Sequence, residues 1–380
     1  MTACPFCLSQ RLRSLYPVHA GECVTSDLRI VPDSSIANRL CETCGFIFNA
    51  GGPRGNTEEF YGKSYRLRMH ADGAQNINFS GRGAVPMARA VADFLIEQTG
   101  GAESGAILEA GAGKGEFLVQ FLQSMPGWRA TAFEPSTAAA RLAERLPDVR
   151  VIHGGFQDVA IAERFDVVAS VAVIEHVEQP YEFMLWLRER MKPQGRMLLT
   201  FPDFARNPND LFCVDHLSKI SEPHLRMMAR RAGLSVTATR HVGIALLAVL
   251  SLAEPDALIV PVVDAAEEVL ERNVALAQDM VAAVAAARAA AAAAGEGFAV
   301  FGLGMAGLVA PVLNAFPRSE IGAYVDENPT MQGLTIGESR VIGPDEMSEF
   351  GIRHVALSVS PIYRDQVMTK LQSRGVRVYV

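Results

Sequence analysis

The segment Ala106–Phe117 constrains the fold of this chain more than any other. It contains an apolar strand, then glycines at positions 111, 113 and 115, then the start of a helix. Glycine lets a backbone turn tightly and approach a ligand closely. Short apolar strands and amphipathic helices alternate from Ala106 to about Thr239, which is typical of a parallel, doubly wound α/β sheet. We therefore predict a nucleotide-binding sheet in the middle of the chain.

Residues that follow the strands suit a nucleoside ligand. Glu134 ends the strand after the glycines, about 20 residues further on, where an acid accepts hydrogen bonds from both ribose hydroxyls. Phe156 and Gln157 belong to the next element and could lie along an adenine ring. Each feature alone is also compatible with an ordinary Rossmann core, so the prediction depends on their occurring together.

Two histidines lie at strand ends on the side of the sheet where ligands bind, His176 after the fourth strand and His216 further along the chain. Imidazole is the natural general base near neutral pH. Asp215 stands beside His216, although adjacent residues need not hydrogen-bond. We predict His216, His176 and Asp215 as catalytic residues, with the alternative that His176 only shapes the pocket. Tyr61 and Tyr65 either cover the substrate or pack at the surface.

Four of the six cysteines form two Cys-x-x-Cys pairs, Cys4/Cys7 and Cys41/Cys44. Such a pair places two thiolates on one side of a tetrahedron, and zinc prefers four such ligands. A redox site would need only one pair and a βαβ context, which is missing here. We predict a structural zinc ion bound by all four sulfurs.

Composition limits the partners of the chain. Net charge is -7 and no run of Lys or Arg occurs, which argues against nucleic acid and anionic membranes. The N-terminus lacks the basic and apolar blocks of a signal peptide. The longest apolar run, Val242 to Ala253, is too short for a bilayer of roughly 30 Å. We expect a cytoplasmic protein with no nucleic-acid or membrane partner; its oligomeric state is left open.

The C-terminal third of the chain changes character. Residues 261–294 contain no Gly and are rich in Ala, with Gly295 just past the end, which predicts one long helix. A strand, a Gly-x-Gly-x-x-Gly turn at 302–307 and a helix follow, and Asp326 ends the next strand. The motif suggests a second nucleotide site, but the unit is short, so a module that packs and positions substrate is an equal alternative.

Residues 106–240 resemble the class I S-adenosylmethionine (SAM)-dependent methyltransferases in the order and spacing of these segments. The resemblance implies that Glu109 and the glycine turn hold the methionine part of SAM, that Glu134 holds the ribose, and that Phe156 and Gln157 flank the adenine. The cofactor-binding residues predicted in this way are Glu109, Gly111, Ala112, Gly113, Gly115, Glu134, Phe156, Gln157 and Val171.

Nearly the whole chain resembles the zinc-containing sugar-nucleotide C-methyltransferases, which have a C-terminal Rossmann-like domain. In that family a base removes the proton beside a keto group, and the enolate carbon attacks the SAM methyl. His176 and His216 match its active-site histidines, and Asp215 stands where it has Glu. The family's Tyr-His-Glu-His is here Cys-Val-Asp-His, and its Gly-Gly-Ser-Leu-Arg run after His241 is replaced by residues 242–246.

The resemblance implies an α/β fold, with a class I methyltransferase (Rossmann-like) sheet between an N-terminal zinc-binding unit and a smaller C-terminal Rossmann-like domain. The predicted boundaries are 1–60 for the zinc-binding unit, 61–85 for a connecting or lid segment, 86–245 for the SAM-binding domain, 246–295 for a helical linker and 296–380 for the C-terminal domain. The expected function is methylation of a small molecule, with a nucleotide-linked keto-sugar first. An O- or N-methyltransferase and a non-catalytic SAM- or nucleotide-binding module are the alternatives.

Overall fold

A computed structural model describes residues 2–27, 29–53, 60, 77–80, 83–156, 161–256, 260–303, 321–329 and 331–380. The predicted site residues Tyr61, Tyr65 and Gln157 lie outside the described residues. So do residues 304–320, which include most of the C-terminal glycine motif.

The described residues form strands and helices over most of their length. The strands are β1 Leu12–Val24, β2 Ile30–Cys41, β3 Ile47–Asn49, β4 Ile77–Ser80, β5 Gly83–Pro86, β6 Gly105–Ala110, β7 Trp128–Glu134, β8 Arg150–His153, β9 Phe165–Val171, β10 Met191–Pro202, β11 Ser218–Lys219, β12 Leu234–Val242, β13 Ala245–Leu252, β14 Gly297–Phe301, β15 Ala323–Val325, β16 Thr335–Ile336, β17 Ser339–Ile342, β18 Ile352–Leu357 and β19 Arg377–Tyr379. The α-helices are α1 Met87–Gln98, α2 Glu116–Ser124, α3 Ala138–Arg145, α4 Pro180–Glu189, α5 Glu222–Arg231, α6 Val263–Ala294 and α7 Pro361–Gln372.

The central sheet has seven strands in the order β12-β13-β10-β9-β6-β7-β8. The five strands from β10 to β8 pair in parallel, and β13 and β12 are antiparallel additions at one edge. The chain leaves β6 toward β7 in one direction and later returns to β9 on the other side, so the strand order reverses between β6 and β9. Ligands bind at such a point in doubly wound sheets. The predicted α/β class I methyltransferase sheet is confirmed.

The sheet extends further along the chain than the predicted domain boundary at residue 245. Strand β13 spans Ala245–Leu252 and lies between β10 and β12. Its middle residues are buried on both faces, which explains the long apolar run there, since such runs are typical of interior strands. The segment predicted as a helical linker therefore begins with a strand of the central sheet.

The predicted long helix is present as α6 and ends at Gly295, whose φ of 66° is left-handed. Its 32 residues give a length of roughly 48 Å. Among the described residues, only α6 is long and apolar enough to cross a bilayer, a test that core helices of other proteins also pass. One side of it is buried through residues spaced seven apart, Leu270, Ala277, Val284 and Ala291, which join one hydrophobic cluster with residues of the N-terminal unit and the C-terminal sheet.

Two smaller sheets flank the central one. The N-terminal sheet has the order β1-β2-β3-β11 and is antiparallel, so its last strand comes from residues 218–219, directly after His216. The C-terminal sheet has the order β16-β17-β15-β14-β18-β19, with β15, β14, β18 and β19 in parallel. The N-terminal unit therefore shares its sheet with the loop that carries a predicted catalytic residue.

Candidate active site

The glycine turn between β6 and α2 lies at the carboxyl end of the central sheet. Gly111, Gly113 and Gly115 all have positive φ, between 54° and 76°. A Cβ on Gly111 would collide with the Val173 side chain, and one on Gly115 would lie 2.5 Å from Cδ1 of Leu142. Glycine is therefore required there by both conformation and space.

Glu109 is the penultimate residue of β6, two positions before Gly111, and is only 2% exposed. Its Oε2 has no hydrogen-bond partner among the described residues. Burial, together with the nearby Glu134 and Glu116 carboxylates, raises the pKa of Glu109 well above 4.5. A buried carboxyl in this state stabilises a cation placed beside it, because the cation offsets the cost of its ionisation.

Glu134 ends β7 and lies directly against the glycine turn. Its Oε2 accepts a hydrogen bond from the Gly113 amide at 2.7 Å, and its Oε1 accepts one from the Ser136 amide at 2.8 Å. The amides of Gly111 and Ala112 donate to the carbonyl of Phe133 and so fix the start of the turn. A carboxylate oxygen has a second lone pair, so Glu134 can still accept hydrogen bonds from a diol.

The remaining predicted cofactor residues occupy neighbouring positions. Phe156 follows β8 and packs edge-to-face on Phe183, with ring centroids 5.3 Å apart. Val171 ends β9, and the next residue, Ala172, has a φ of 54°, which is unusual for a side chain other than glycine. The Thr200 carbonyl and hydroxyl both accept from the Ala172 amide and hold this turn.

These residues fit SAM, which carries an ammonium group, a sulfonium ion and a ribose diol. The orphaned oxygen of Glu109 suits a cationic group, and Glu134 suits the diol. The glycine turn keeps side chains away from the space between them. SAM would supply the electrophilic methyl group, and this chain would bind and orient it.

His176 and His216 lie against each other beyond the end of β9, with ring centroids 4.7 Å apart. His176 Nδ1 contacts the Asp215 carbonyl oxygen at 2.9 Å. His216 Nδ1 contacts Asp210 Oδ1 at 2.5 Å, and both of these side chains are almost completely buried. Since Val173 contacts the glycine turn, this pair of histidines adjoins the predicted methyl-donor site.

The two histidines have opposite electrostatic environments. Burial and the neighbouring His216 lower the pKa of His176 to about 4. Burial alone would lower the pKa of His216, but the Cys213 thiol and the Asp210 carboxylate raise it well above 6.5. Since burial raises the pKa of Cys213 to about 11, that thiol is neutral near pH 7 and Asp210 is the charge that acts.

The Asp215 carboxylate contacts the N-terminal unit. Its Oδ1 and Oδ2 accept hydrogen bonds from the amide and hydroxyl of Ser26, both at 2.7 Å. The Cys213 thiol donates to the same Oδ1 at 3.2 Å, and His176 Nδ1 lies 3.6 Å from Oδ2. Asp215 thus joins the N-terminal unit to the loop over residues 209–216, the histidine loop, which carries His216.

Three residues at this site were not among the predicted ones: Asp210, Glu175 and Ser26. Asp210 lies in a 3-10 turn over Pro208–Phe212, and the Asn-Pro at its start is the only sequence signal for that turn. Glu175 is buried, its Oε2 has no hydrogen-bond partner among the described residues, and burial raises its pKa to about 7.

The four paired cysteines lie together in the N-terminal unit. The sulfurs of Cys4 and Cys44 are 3.8 Å apart and those of Cys7 and Cys41 are 3.5 Å apart, too far for disulfides. All four sulfurs are within 4.8 Å of one another. Tetrahedral zinc with bonds of about 2.3 Å needs sulfurs about 3.8 Å apart, so the cluster fits that ion. A zinc ion there would tie β2 to the N-terminal loop.

Asp326, the predicted acidic residue of the C-terminal unit, binds the backbone. Its Oδ2 accepts from the Leu303 amide and its Oδ1 from the Asn328 amide, both at 2.8 Å. These bonds close the described part of the glycine turn, whose other residues lie outside the described ranges.

Comparison with known proteins finds similarity to methyltransferases in the middle of the chain. Residues 84–239 match the family model described as a methyltransferase domain. The mitochondrial ubiquinone biosynthesis O-methyltransferase of Schizosaccharomyces pombe is 32% identical over 102 residues, which is 25% of this chain and 36% of that protein. The malonyl-[acyl-carrier protein] O-methyltransferase of Halalkalibacterium halodurans is 28% identical over 140 residues, 35% of this chain and 50% of that one.

Two solved structures are similar at low sequence identity. The glycopeptide N-methyltransferase MtfA complexed with SAM is 20% identical with a TM-score of 0.37, covering 43% of this chain and 94% of that one. The mitomycin 7-O-methyltransferase MmcR is 19% identical with a TM-score of 0.39, covering 44% of this chain and 54% of that one. The chain spans between about a third and a half of the length of the two curated relatives. The part of the chain that is similar to a methyltransferase domain is therefore residues 84–239.

Proposed function

We propose that the chain is a SAM-dependent methyltransferase that acts on a small molecule. The observation that carries the proposal is the pair of buried carboxyls around the glycine turn. The orphaned Glu109 oxygen would bind a cationic group of SAM, and Glu134 would bind the ribose. The two histidines contact each other, and His176 follows three residues after Val173, whose side chain lies against Gly111 of the turn.

Isothermal titration with SAM tests the cofactor site. We expect binding to the wild-type protein and a loss of roughly tenfold to a hundredfold in affinity for Glu134→Gln, which removes a charged acceptor worth about 1.5–3 kcal/mol. Exposed Glu163→Gln is a matched control that should bind SAM as the wild type does. Absence of SAM binding to the wild-type protein would defeat the proposal and would favour a non-catalytic module.

We further propose that the acceptor is a carbon beside a keto group, with a nucleotide-linked keto-sugar as the first candidate. A histidine pair at the methyl-donor site supports this, because an enolisable C–H needs a base while the sulfonium leaving group needs little help. Oxygen methylation is the second candidate, since both curated relatives named above are O-methyltransferases.

SAM with a 13C-labelled methyl group separates these candidates. The protein is incubated with the label and a panel of keto-sugar nucleotides and phenols, and the products are examined by mass spectrometry and NMR. A methyl carbon bonded to carbon supports the first candidate, and one bonded to oxygen supports the second. In D2O with S-adenosylhomocysteine in place of SAM, enolate formation should exchange the proton beside the keto group. No exchange would exclude an enolate route.

We also propose that Cys4, Cys7, Cys41 and Cys44 bind a structural zinc ion, supported by their mutual distances. Metal analysis of freshly purified protein should find one zinc per chain. The protein is expected to be cytoplasmic and to use neither nucleic acid nor membrane as a partner.

A further inference from the structure

The two active-site histidines differ in what their Nδ1 atoms contact. His176 Nδ1 faces a backbone carbonyl oxygen, that of Asp215, at 2.9 Å. His216 Nδ1 faces the carboxylate of Asp210 at 2.5 Å. A carbonyl orients a neutral imidazole with the proton on Nδ1, whereas a buried carboxylate stabilises the imidazolium ion.

The rings are too close for both to carry a charge. Their centroids are 4.7 Å apart, and two buried imidazolium ions at that distance would repel each other strongly. The carboxylate nearest His176 is that of Asp215, at 3.6 Å, and it already accepts bonds from Ser26 and Cys213. Geometry therefore favours the charge on His216.

The other charged groups around the pair agree with this distribution. The Asp210 and Asp215 carboxylates face the rings, and the Lys219 ammonium donates to the His216 carbonyl at 2.6 Å. An imidazolium at His216 and the Lys219 ammonium balance these two carboxylates. Two further titratable groups lie in the cluster: burial raises the pKa of Glu175 to about 7 and that of the Cys213 thiol to about 11.

Solvent access also distinguishes the two rings. The side chain of His176 is 12% exposed, whereas that of His216 is 2% exposed. A base must pass its proton to water after each turnover, and His176 is the better placed of the two to do so. His216, if it stays charged throughout the reaction, needs no such exchange. Its stabilisation of negative charge on the acceptor is greatest when water is excluded.

We propose that Asp210 divides the roles of the two histidines: it holds His216 as an imidazolium ion that binds the acceptor's oxyanion, and His176 acts as the neutral general base. Asp210 is then a positioning residue. The inference deepens the proposed methyl transfer and rests on it, and it reverses the sequence-based preference for His216 as the base.

The reaction balances with these residues. His176 takes a proton from the acceptor, and the electron pair of the broken C–H or O–H bond forms a bond to the methyl carbon of SAM. The S–CH3 bond breaks, and its electron pair stays on sulfur in neutral S-adenosylhomocysteine. Negative charge that develops on the acceptor oxygen faces the His216 imidazolium. His176 then returns its proton to solvent.

NMR of protein labelled with 15N-histidine tests the assignment without an acceptor. Long-range 1H–15N spectra distinguish imidazolium, whose nitrogens have similar shifts, from neutral imidazole, whose nitrogens differ widely. The chain has eight histidines, and spectra of His176→Asn and His216→Asn assign the two signals. At neutral pH we expect a cationic His216 and a neutral His176 with the proton on Nδ1. Asp210→Asn should convert His216 to the neutral form.

Two control variants distinguish the loss of the Asp210 charge from a general effect of the substitution on the structure. Asp203→Asn removes the carboxylate of another buried Asp–His pair, in which His241 Nε2 lies 2.7 Å from Asp203, and should leave His216 cationic. Asp210→Glu keeps a carboxylate and should preserve the cation. A neutral His216 or a cationic His176 in the wild-type protein would overturn the proposal, even if Asp210→Asn does not fold.

Two further outcomes are decisive. Ligand atoms of Glu175, His176 and His216 lie within 4.8 Å of one another, and imidazole nitrogens suit Zn²⁺, so both signals are followed during titration with Zn²⁺ beyond the amount that the four cysteines bind. Saturable shifts of both imidazoles at one further equivalent of Zn²⁺ would overturn the proposal in favour of a metal site. SAM titration of Asp210→Asn should give wild-type affinity. If the wild type does not bind SAM, the proposed function fails, whereas the histidine charges are decided by the spectra alone.

Discussion

Replacing Glu175 by Gln should stabilise the protein above neutral pH. The carboxyl is buried beside the histidine pair, and its pKa is about 7 against an ordinary 4.5. A raised pKa means that the unfolded state ionises first, so this group destabilises the fold progressively as the pH rises from 4.5 to about 7. Below 4.5 both states are protonated and the group has no effect.

The magnitude follows from the shift. A difference of about 2.5 pKa units corresponds to about 3 kcal/mol at pH values above the folded pKa. For a domain of this size each kcal/mol moves the Tm by roughly 2–4 °C, so Glu175→Gln should raise the Tm by about 10 °C at pH 8. Near pH 4.5 the two proteins should unfold at nearly the same temperature.

The assay is thermal unfolding of both proteins between pH 4.5 and 8.5, followed by circular dichroism. Glu178→Gln is a matched control in the same loop, where the exposed side chain should change stability by less than about 0.5 kcal/mol. A Tm difference that does not grow with pH would refute the reasoning, because it would mean that Glu175 ionises in the folded protein as easily as in the unfolded one.

Three further variants test other parts of the structure. His216→Asn should keep wild-type SAM affinity, measured by isothermal titration, and lose most turnover in the labelled-methyl assay, whether that residue is the base or the oxyanion-binding cation. Cys41→Ser should abolish the expected one-to-one zinc content and lower the Tm, since a zinc ion there would join β2 to the N-terminal loop; equal zinc content would contradict the tetrahedral site. Ser26→Ala removes the hydrogen bond from the Ser26 hydroxyl to Asp215 and should cost about 1–3 kcal/mol of stability, read from denaturant unfolding.

The cofactor side of the site was predictable because its residues are local in sequence. The glycine turn and Glu134 are joined by a strand, a helix and a strand, so parallel pairing of β6 with β7 brings them together. The alternation of apolar strands and helices is also a local pattern, and it predicted the parallel sheet. The boundary at residue 245 was wrong because the antiparallel strand β13 follows β12 directly, with no crossover helix to mark it.

The acceptor side was less predictable because its contacts are distant or irregular. Ser26 and Asp215 are 189 residues apart, and nothing in either local pattern indicates that they meet. Asp210 reaches His216 only because a short 3-10 turn reverses the chain. The neighbouring Asp215 was the natural partner to suggest from sequence, but its carboxylate points to the N-terminal unit instead.

The loop over residues 209–216, which carries His216, forms hydrogen bonds to both flanking units. The N-terminal unit binds it through Ser26 at Asp215 and through Asn38 Nδ2, which donates to the Leu211 carbonyl at 2.8 Å. The C-terminal unit accepts a bond at the Ser358 carbonyl from Asn209, the residue before Asp210. On the proposed roles, methyl-donor binding would depend on the central sheet, whereas the position of Asp210, and hence the charge on His216, would depend on all three units. Substitutions in the flanking units should therefore alter turnover before they alter SAM affinity.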